Sequence, residues 1–506
     1  MNKRTLILSL FVIVKLVLHY LIIAPGYDLH RDEYLHLDQG KHLAWGYLSV
    51  PPFTSWNSFI ILQSGNSEFW VRFFPAMYGA LTLVVIWKTI GLLGGNVFAL
   101  ILGATAITFS ALLRMNMLFQ PNSVDILGWT LFYYSVLYYL KTDRNKWLYI
   151  AAIVFGFSFL NKYNIVFLVA GLVPALWITN HRKLFYNKHL YTAAFTALLI
   201  ISPNLIWQFQ NNFPVIHHMK LLAETQLVNV SRPGFLKEQL LFFTASLFII
   251  LAAFISFFIY PPFKKYQVFF WSFVFTLTLF IYLRAKSYYA VGLYPVFIAF
   301  GSVYLEKVFI KRLLWLRPAS VIFILILFIP MFRVAFPIKD PSAIASDSTL
   351  FKKLGLLRWE DGKDHKLPQD YADMLGWREL AQIVDSSYAE ISDKKHTLVL
   401  CDNYGQAGAI NYYSRFRNIG AVTMNADYIN WFPLQEEVKN IILVQSADDD
   451  DKSREKEKPL FENIFLVGKI RNQYARECGT SVYVLLDAKV SINKILKSDM
   501  EENKWD

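Results

Sequence analysis

The sequence predicts an all-α polytopic membrane domain of about eleven transmembrane helices, followed by a small C-terminal α/β domain. Three observations support this fold class. Of the 506 residues, 55% are hydrophobic and 17% aromatic, which is too apolar for an ordinary soluble protein. Long apolar stretches recur as far as residue 336 and then stop. Lysine and arginine outnumber the acids by 27 to 10 in residues 1–336, but number 23 against 28 in residues 337–506.

The uneven charge assigns the basic balance to the membrane part, so it gives no reason to expect a nucleic-acid partner. The chain begins with Lys3 and Arg4 and then runs apolar, as a signal peptide would. It lacks a small-residue cleavage site and is followed by further apolar stretches, so this segment is predicted to be the first transmembrane helix.

A transmembrane helix needs roughly 20 largely apolar residues, and the sequence offers about eleven such segments. They are 5–24, 69–90, 95–113, 123–140, 147–161, 163–179, 190–207, 239–260, 267–283, 287–305 and 318–336. With the N-terminus inside, the cytoplasmic loops are rich in lysine and arginine and the opposite loops collect the acids, as the positive-inside rule requires. This topology places the 25–68 loop and residues 337–506 outside the cytoplasm.

The first external loop, 25–68, is the most acidic loop of the membrane part and carries Asp32, Glu33 and Asp38. A short interfacial helix is predicted over Glu33–Trp45, with Pro51 and Pro52 ending it. Adjacent acids here are either ordinary first-turn residues of a helix or a functional pair. A carboxylate within hydrogen-bond reach of a hydroxyl can accept its proton during attack, so Asp32 and Glu33 are the catalytic candidates.

Three further residues are candidates for binding a sugar of the donor or the acceptor: Asp125, Tyr34 and His36. Asp125 falls at the outer mouth of the fourth apolar segment, where an ionisable group is costly and by default indicates a functional site. The alternative is an acid that favours a helix N-terminus, with Asn122 and Ser123 available as caps. Both interpretations stay open.

Lys162, Arg284 and Lys286 lie on the external side in the predicted topology and are candidates for binding a phosphate. Fixed cations would stabilise a lipid phosphate as it leaves. Each is equally well explained as a lysine or arginine that reaches the interface and binds anionic lipid. The sequence contains no phosphate-binding glycine loop and no HExxH motif, and the adjacent His217 and His218 are weak evidence for a metal.

Residues 337–506 are predicted to form a soluble α/β domain because short β-rich runs alternate with helix-like stretches. The runs are HTLVLC (396–401), NIILVQ (440–445) and SVYVLL (481–486), and the helical stretches lie near 374–391 and 405–413. The acidic run at 448–452 is predicted to be a solvated loop. Cys401 and Cys478 form either one disulfide or two unpaired thiols.

The loop sequence RDEYLHLDQGKHLAWGYLSVPPF resembles the first external loop of the C-type membrane glycosyltransferases. The bacterial group that resembles protein O-mannosyltransferases and lipid A aminoarabinose transferases is the most similar. Further stretches resemble that group in the same order along the chain: RMNMLFQPNSVD, GFSFLNKYN, KSYYAVGLYPVFIAFG, DMLGWREL and DNYGQAGAINYYSR.

The resemblance implies a polyprenyl-phosphate sugar donor, a lipid, glycan or protein acceptor, and a site facing away from the cytoplasm of the bacterial inner membrane. By position, Asp32 matches the acid that is the family's expected base or acceptor ligand. Glu33 is its neighbour, Asp125 matches a second acid, and Lys162 matches a basic position. The chain lacks the additional modules of eukaryotic mannosyltransferases, which leaves the acceptor open. Some family members use a divalent metal, and nothing in the sequence demands one.

Two other functions compete with sugar transfer. A transporter or flippase of a lipid-linked saccharide would share the basic, aromatic interface, but such proteins place ionisable groups at mid-membrane depth. Here the apolar segments are nearly free of acids and the external loops contain them, which favours the enzyme. A membrane anchor for a binding domain would not need about eleven spans.

Overall fold

The computed structural model describes residues 2–225 and 227–503, and it is mostly helical. The helices of the membrane part are α1 (Lys3–Leu21), α2 (Arg31–Gln39), α3 (Phe53–Gln63), α4 (Glu68–Leu92), α5 (Val97–Thr108), α6 (Ala111–Met115), α7 (Asn122–Thr142), α8 (Lys146–Phe159), α9 (Ile165–Ile178), α10 (Lys188–Gln210), α11 (Pro214–Thr225), α12 (Arg232–Phe242), α13 (Leu247–Ile259), α14 (Pro261–Lys264), α15 (Gln267–Tyr282), α16 (Pro295–Val308) and α17 (Leu316–Ala335). Short 3₁₀ helices cover Asn180–Tyr186, Leu227–Asn229, Thr244–Ser246, Ser287–Leu293 and Lys311–Leu313.

Each of the eleven apolar segments predicted from the sequence contains a helix. In the described residues, four helices are long and apolar enough to cross a membrane, or seven if each bent helix pair is one span. Three shorter apolar helices, α5, α8 and α15, come in addition. The count of eleven spans therefore stays a prediction, whereas a polytopic helical membrane domain is confirmed.

The first helix shows how the membrane part divides between lipid and protein. Leu6, Leu10 and Ile13 of α1 are more than half exposed, as side chains facing lipid would be. Lys15 and His19, one helical turn apart, are buried against the rest of the protein. The opposite face of α1 therefore packs on the bundle, mainly through α4.

The helix in the first external loop is shorter than predicted. It covers Arg31–Gln39 instead of Glu33–Trp45, so it begins and ends earlier than predicted, and Gly40, which directly follows it, lies in close contact with α3. A Cβ atom at Gly40 would lie 2.6 Å from Cβ of Ser58, so only glycine fits there without movement. The chain then turns away through residues 41–52 before α3 begins.

The C-terminal part has the predicted α/β character. Its helices are α18 (Pro341–Ser346), α19 (Thr349–Lys353), α20 (Gln369–Ala372), α21 (Trp377–Glu390), α22 (Tyr404–Tyr413) and α23 (Ile492–Glu502), with 3₁₀ helices at Lys394–His396 and Ala426–Asn430. Its strands are β1 (Thr397–Cys401), β2 (Val422–Thr423), β3 (Asn440–Gln445), β4 (Phe461–Lys469) and β5 (Ser481–Ala488). The strand order is β2-β1-β3-β5-β4, with β1 parallel to β2 and β3, and β5 antiparallel to β3 and β4.

The three β-rich runs of the sequence became β1, β3 and β5, and the two helix-like stretches became α21 and α22. Sequence reasoning missed β2, which has two residues, and β4, whose apolar run IFLV follows the charged segment 448–458. Cys401 is buried in β1 and Cys478 is exposed, and both thiols are free. This result favours the second of the two alternatives considered for the cysteines.

The C-terminal domain packs on the first external loop through a shared apolar core. Tyr34 and Leu37 of α2 belong to the same cluster of buried side chains as Trp377 of α21 and Ile410 of α22. Gly408 lets α22 approach α2 closely, since a Cβ there would lie 2.6 Å from Cβ of Tyr34. The domain is thereby held directly above the loop that contains the catalytic candidates.

Candidate functional site

A cavity of about 440 Å³, here called the central cavity, lies where several loops of the membrane part meet the C-terminal domain. Its wall combines residues from the first loop, the α6–α7 and α8–α9 connections, α11, the segment before α16 and the C-terminal domain. The polar and aromatic groups in this wall are Asp32, His36, Ser49, Gln120, Asn122, Lys162, Tyr163, His217, His218, Lys286, Tyr288, Tyr289, Tyr404, Asn425 and Asn503. Loops that the charge pattern assigns to one side of the membrane thus converge on one cavity.

Glu33 points away from the central cavity and fixes the protein backbone. One carboxylate oxygen accepts a hydrogen bond from the backbone N–H of His30 at 2.7 Å. The other accepts from the backbone N–H of Phe119, also at 2.7 Å. His30 completes a capping box by accepting from the backbone N–H at the start of α2. Glu33 therefore anchors the start of α2 to the turn before α7.

Asp32, by contrast, faces the central cavity. Its Oδ1 accepts a hydrogen bond from the hydroxyl of Tyr404 at 2.8 Å, and its Oδ2 accepts from the amide of Gln120 at 3.1 Å. Arg31 stacks on the ring of Tyr404, with its guanidinium carbon 4.3 Å from the ring centre. These contacts fix the orientation of the carboxylate toward the interior of the cavity.

The two neighbouring carboxyl groups have opposite electrostatic environments. Burial tends to raise the pKa of Asp32, but His30, the Tyr404 hydroxyl and Arg31 outweigh it and hold the pKa below its ordinary value. Burial raises the pKa of Glu33 above its ordinary value, and the two backbone donors offset only part of that effect. Environments that separate the pKa values of two carboxyl groups give them different roles. Asp32 is the ionised group that a ligand in the cavity can reach.

Lys162 lies across the central cavity with its ammonium group against aromatic rings. The Nζ atom donates to the side-chain oxygen of Asn122 at 2.9 Å and lies 4.3 Å from the ring centre of Tyr289. Burial lowers the pKa of Lys162 to about 8; Asp125 opposes this effect and Lys286 adds to it. Lys286 lines the same cavity. Two cations thus share the cavity with the Asp32 carboxylate.

Asp125 does not line the central cavity but lies buried beneath this cationic wall. It accepts from the indole N–H of Trp129 at 2.9 Å and from the amide of Asn164 at 3.0 Å. Asn164 also donates to the backbone carbonyl of Tyr289 at 2.9 Å. The negative charge of Asp125 favours the protonated form of Lys162. Its contacts indicate that it positions the residues which face the cavity.

The other residues predicted from the sequence are divided between the cavity and its surroundings. His36 lines the cavity, and its Nδ1 lies 3.1 Å from the side-chain oxygen of Gln39. Tyr34 is fully buried, and its hydroxyl donates to the carbonyl of Leu29 at 3.0 Å, so it belongs to the core under α22. Arg284 is exposed and donates toward the carbonyl of Val228 at 3.5 Å, outside the cavity wall. The structure therefore does not bring Tyr34 or Arg284 into the cavity.

Comparison with known proteins gives one family-model match and several solved structures with a similar fold. A family model described as dolichyl-phosphate-mannose-protein mannosyltransferase matches residues 49–207, a segment that contains Asp125 and Lys162 but begins after Asp32. Crystal structures of ArnT from Cupriavidus metallidurans, bound to undecaprenyl phosphate and in the apo state, have TM-scores of 0.65 and 0.62. Each is 13% identical in sequence, and each match covers 97% of this chain and 99% of the ArnT chain.

The chain has the fold of the C-type membrane glycosyltransferases. The family match and the fold together indicate a multi-pass membrane glycosyltransferase. A comparison with curated protein sequences found no match.

Within this C-type glycosyltransferase fold, several residues of the cavity wall were not nominated from the sequence. Gln120 and Tyr404 hold Asp32, and Asn122 and Tyr289 hold Lys162. Gln120 and Asn122 lie in the stretch RMNMLFQPNSVD, and Tyr404 lies in DNYGQAGAINYYSR. Both stretches carried the resemblance to the C-type glycosyltransferases, so the signal was present although the contacts were not visible in it.

In the part of the chain that the structure describes, no three histidine, cysteine, aspartate or glutamate side chains converge closely enough to hold a metal ion. His217 and His218 line the central cavity on α11, and burial together with Lys286 lowers the pKa of His218. The central cavity therefore contains the cationic groups of Lys162 and Lys286, and the described residues form no assembled metal site.

Proposed function

We propose that this protein transfers a sugar from a polyprenyl-phosphate donor to a lipid, glycan or protein acceptor at the extracytoplasmic face of the bacterial inner membrane. One observation carries the proposal: the Asp32 carboxylate and the Lys162 and Lys286 cations line the same cavity. We further propose that residues 1–336 form the transferase domain and residues 337–506 an extracytoplasmic domain that completes its site.

The reaction needs a base on one side of the anomeric carbon and positive charge on the other. In this proposal Asp32 accepts the proton of the acceptor hydroxyl as that oxygen attacks the anomeric carbon. The bond from the anomeric carbon to the phosphate oxygen breaks, and the polyprenyl phosphate leaves with the electron pair. Lys162 and Lys286 offset the charge that develops on the departing phosphate. A single displacement inverts the anomeric carbon.

The pKa of Asp32 is held below its ordinary value, so the carboxylate is ionised at neutral pH when the acceptor arrives. Lys162 is placed to respond to the phosphate, since a dianion or monoanion nearby favours its protonated form. The aromatic rings of Tyr288 and Tyr289 lie beside the ammonium group of Lys162 and line the cavity. They offer an apolar surface for the first isoprene units or for the sugar ring.

The test is incubation of the purified full-length protein with a panel of polyprenyl-phosphate sugars, with both donor and released polyprenyl phosphate measured. We expect consumption of at least one donor and release of its lipid phosphate. A protein that consumes no donor, but moves an intact lipid-linked saccharide across a sealed vesicle, would instead be a transporter or flippase.

A further inference from the structure

A second cavity of about 330 Å³ adjoins the central cavity. It lies between residues 42–48 of the first loop, the end of α10 and the C-terminal domain. Its wall consists of His42, Ala44, Gly46, Tyr47, Leu48, Trp207, Gln210, Asn211, Asn212, Pro214, Asp427, Asn430 and Trp431.

The two cavities share part of their walls. Leu48 and Pro214 line both of them. The 3₁₀ helix Ala426–Asn430 also lies between them, because Ala426 and Ile429 line the central cavity whereas Asp427 and Asn430 line the second one. A ligand in the second cavity is therefore separated from the Asp32 cavity by little more than one layer of side chains.

Flat aromatic surfaces are fixed in the wall of the second cavity. The rings of His42 and Trp431 stack with centres 4.2 Å apart and an angle of 10° between their planes. Trp207 packs on Gly46, where a Cβ atom would lie 2.4 Å from the indole ring, so this loop position must be glycine for the indole to stay in place. The stack fixes the Trp431 indole and covers one of its faces, and the part of the indole that lines the cavity suits the C–H face of a sugar ring.

The polar side chains of the second cavity are four amides, one carboxylate, His42 and Tyr47. Asp427 is buried and accepts from the backbone N–H of Leu48 and from the amide of Gln39, both at 2.8 Å. Four side-chain amides also line the cavity and can both donate and accept hydrogen bonds: Gln210, Asn211, Asn212 and Asn430.

The charge of this wall selects against anions. Among the described residues that line the second cavity there is neither lysine nor arginine. Burial lowers the pKa of His42, so its imidazole is neutral at neutral pH. A phosphorylated or carboxylated ligand would thus meet Asp427 without a compensating cation, whereas the central cavity holds Lys162 and Lys286.

From these features we infer that the second cavity binds a neutral saccharide unit of the acceptor, with Trp431 as its stacking platform. The inference rests on the proposed transferase function and narrows its acceptor class. A hydroxyl of a saccharide held there reaches past Leu48 toward Asp32, while the anionic donor occupies the central cavity. The division of anionic donor and neutral acceptor between two adjoining cavities accounts for the different charge of their walls.

The surroundings of the second cavity bear on how the saccharide is presented. Trp45, Phe209 and Phe213 are 48%, 71% and 41% exposed and flank the segments that form the wall. Exposed aromatic residues at the end of a transmembrane helix are typical of the membrane interface. The saccharide therefore comes either free in solution or as the headgroup of a membrane lipid, and the experiment below separates these sources.

The experiment uses the full-length protein in nanodiscs and three sets of probes: neutral oligosaccharides of a few rings, the same oligosaccharides linked to diacylglycerol, and their phosphorylated forms. Equilibrium binding is compared for the parent, for Trp431→Leu and for the control Trp359→Leu. Trp359 is a matched control because it also stacks on a histidine, His365, at 3.6 Å and 11°, but lines neither cavity. Binding of polyprenyl phosphate is measured in parallel on each protein.

We expect a neutral saccharide, free or lipid-linked, to bind the parent and Trp359→Leu equally and to bind Trp431→Leu at least tenfold more weakly. The set that binds identifies the source. Unaltered binding to Trp431→Leu, preference for phosphorylated saccharides, or no saccharide binding by a parent that binds polyprenyl phosphate would each overturn the inference. Saccharide binding without any polyprenyl-phosphate binding would support the second cavity and contradict the proposed function.

Discussion

The hydroxyl of Tyr404 donates a 2.8 Å hydrogen bond to Asp32, a residue 372 positions earlier in the chain. Tyr404 opens α22 of the C-terminal domain, and Asp32 lies in the first turn of α2 in the first external loop. The contact means that the C-terminal domain supplies a direct partner of the proposed base. The predictions below follow from this arrangement and from the charges that face it.

Replacement of Asp32 by asparagine should abolish most transfer while leaving the fold intact. Asparagine keeps an oxygen that can accept from Tyr404 or Gln120 but cannot take the proton of an acceptor hydroxyl. We expect the transfer rate to fall on the order of 100-fold or more, with donor affinity unchanged. The measurement is turnover of a polyprenyl-phosphate sugar, alongside equilibrium binding of the donor.

Glu33→Gln is the matched control for that experiment. Because both oxygens of Glu33 accept from backbone N–H groups, its loss should reduce the free energy of unfolding by about 1.5–3 kcal/mol. The folded fraction should retain turnover. If Asp32→Asn turned over normally while folded Glu33→Gln did not, Glu33 would be the base and the assignment of roles would be reversed.

Tyr404→Phe should move the acid limb of the pH–rate profile to higher pH. The Tyr404 hydroxyl helps to hold the pKa of Asp32 below its ordinary value, so its removal raises that pKa. The base is lost when its carboxylate is protonated as the pH falls through its pKa, and in the variant this protonation occurs at a higher pH. Tyr413→Phe serves as the control, since the Tyr413 hydroxyl contacts Leu29 and Glu68. Identical pH–rate profiles for the parent and Tyr404→Phe would show that Tyr404 does not influence the pKa of the proposed base.

Donor affinity should depend on the charge of Lys162. Its pKa is about 8, so the side chain is a cation below that pH and loses its charge above it. We expect donor binding to weaken as the pH rises above 8, and Lys162→Met to weaken it by about 10- to 100-fold at neutral pH, as for loss of a charge-assisted hydrogen bond worth about 1.5–3 kcal/mol. Titration with polyprenyl phosphate measures both effects.

Arg284→Met is the control for Lys162, because Arg284 is exposed and lies outside the cavity wall. It should bind polyprenyl phosphate like the parent at every pH. A loss of affinity in Arg284→Met, with none in Lys162→Met, would return Arg284 to the phosphate site that the sequence alone suggested.

Gly408→Ala should separate the C-terminal domain from the first loop. The added Cβ would lie 2.6 Å from both Cβ of Tyr34 and the hydroxyl oxygen of Tyr428, which forces α22 away from α2. Overpacking of this kind costs about 1–3 kcal/mol, so we expect a lower unfolding temperature and slower transfer together. Gly26→Ala is the control, since a Cβ at Gly26 meets no atom within 4 Å. An unchanged Gly408→Ala would show that the interface yields more easily than its contacts indicate.

The orientation in the membrane can be tested with the native cysteines. Cys478 is exposed and Cys401 is buried, so a membrane-impermeant maleimide should label Cys478 in sealed cells if the C-terminal domain is outside. Tyr186→Cys in a Cys478→Ser background should be labelled only after permeabilisation, because Tyr186 is 89% exposed in a loop predicted to be cytoplasmic. The reverse pattern would invert the predicted topology.

The sequence predicted the helical segments well because their signal is local. Runs of apolar residues and the charges between them are properties of neighbouring positions, and each predicted segment contains a helix. The bounds of α2 were mispredicted although Gly40, a residue that disfavours helix continuation, directly follows its last residue. The strand β4 was missed although its run IFLV is apolar, because a short apolar run does not by itself distinguish a strand from other structure.

For the candidate site, the sequence predicted that Asp32, His36, Lys162 and Lys286 matter, and all four line the central cavity. It could not distinguish Asp32 from Glu33, because His30 is an uncommon helix cap and its capping box with Glu33 goes unrecognised in the usual patterns. Nor could it identify Tyr404, since a hydrogen bond across 372 residues leaves no periodicity in a single chain.

The seam between the first loop and the C-terminal domain also limits how such proteins can be recombined. Asp38 receives hydrogen bonds from Tyr428 and Asn411, and Arg378 bridges Asp28 and Glu68, in addition to the Tyr404–Asp32 bond. A chimaera that takes its membrane helices from one homologue and its C-terminal domain from another would draw the two members of each of these pairs from different parents. A C-terminal domain taken from a homologue should support activity only when residues 25–68 are taken from the same homologue.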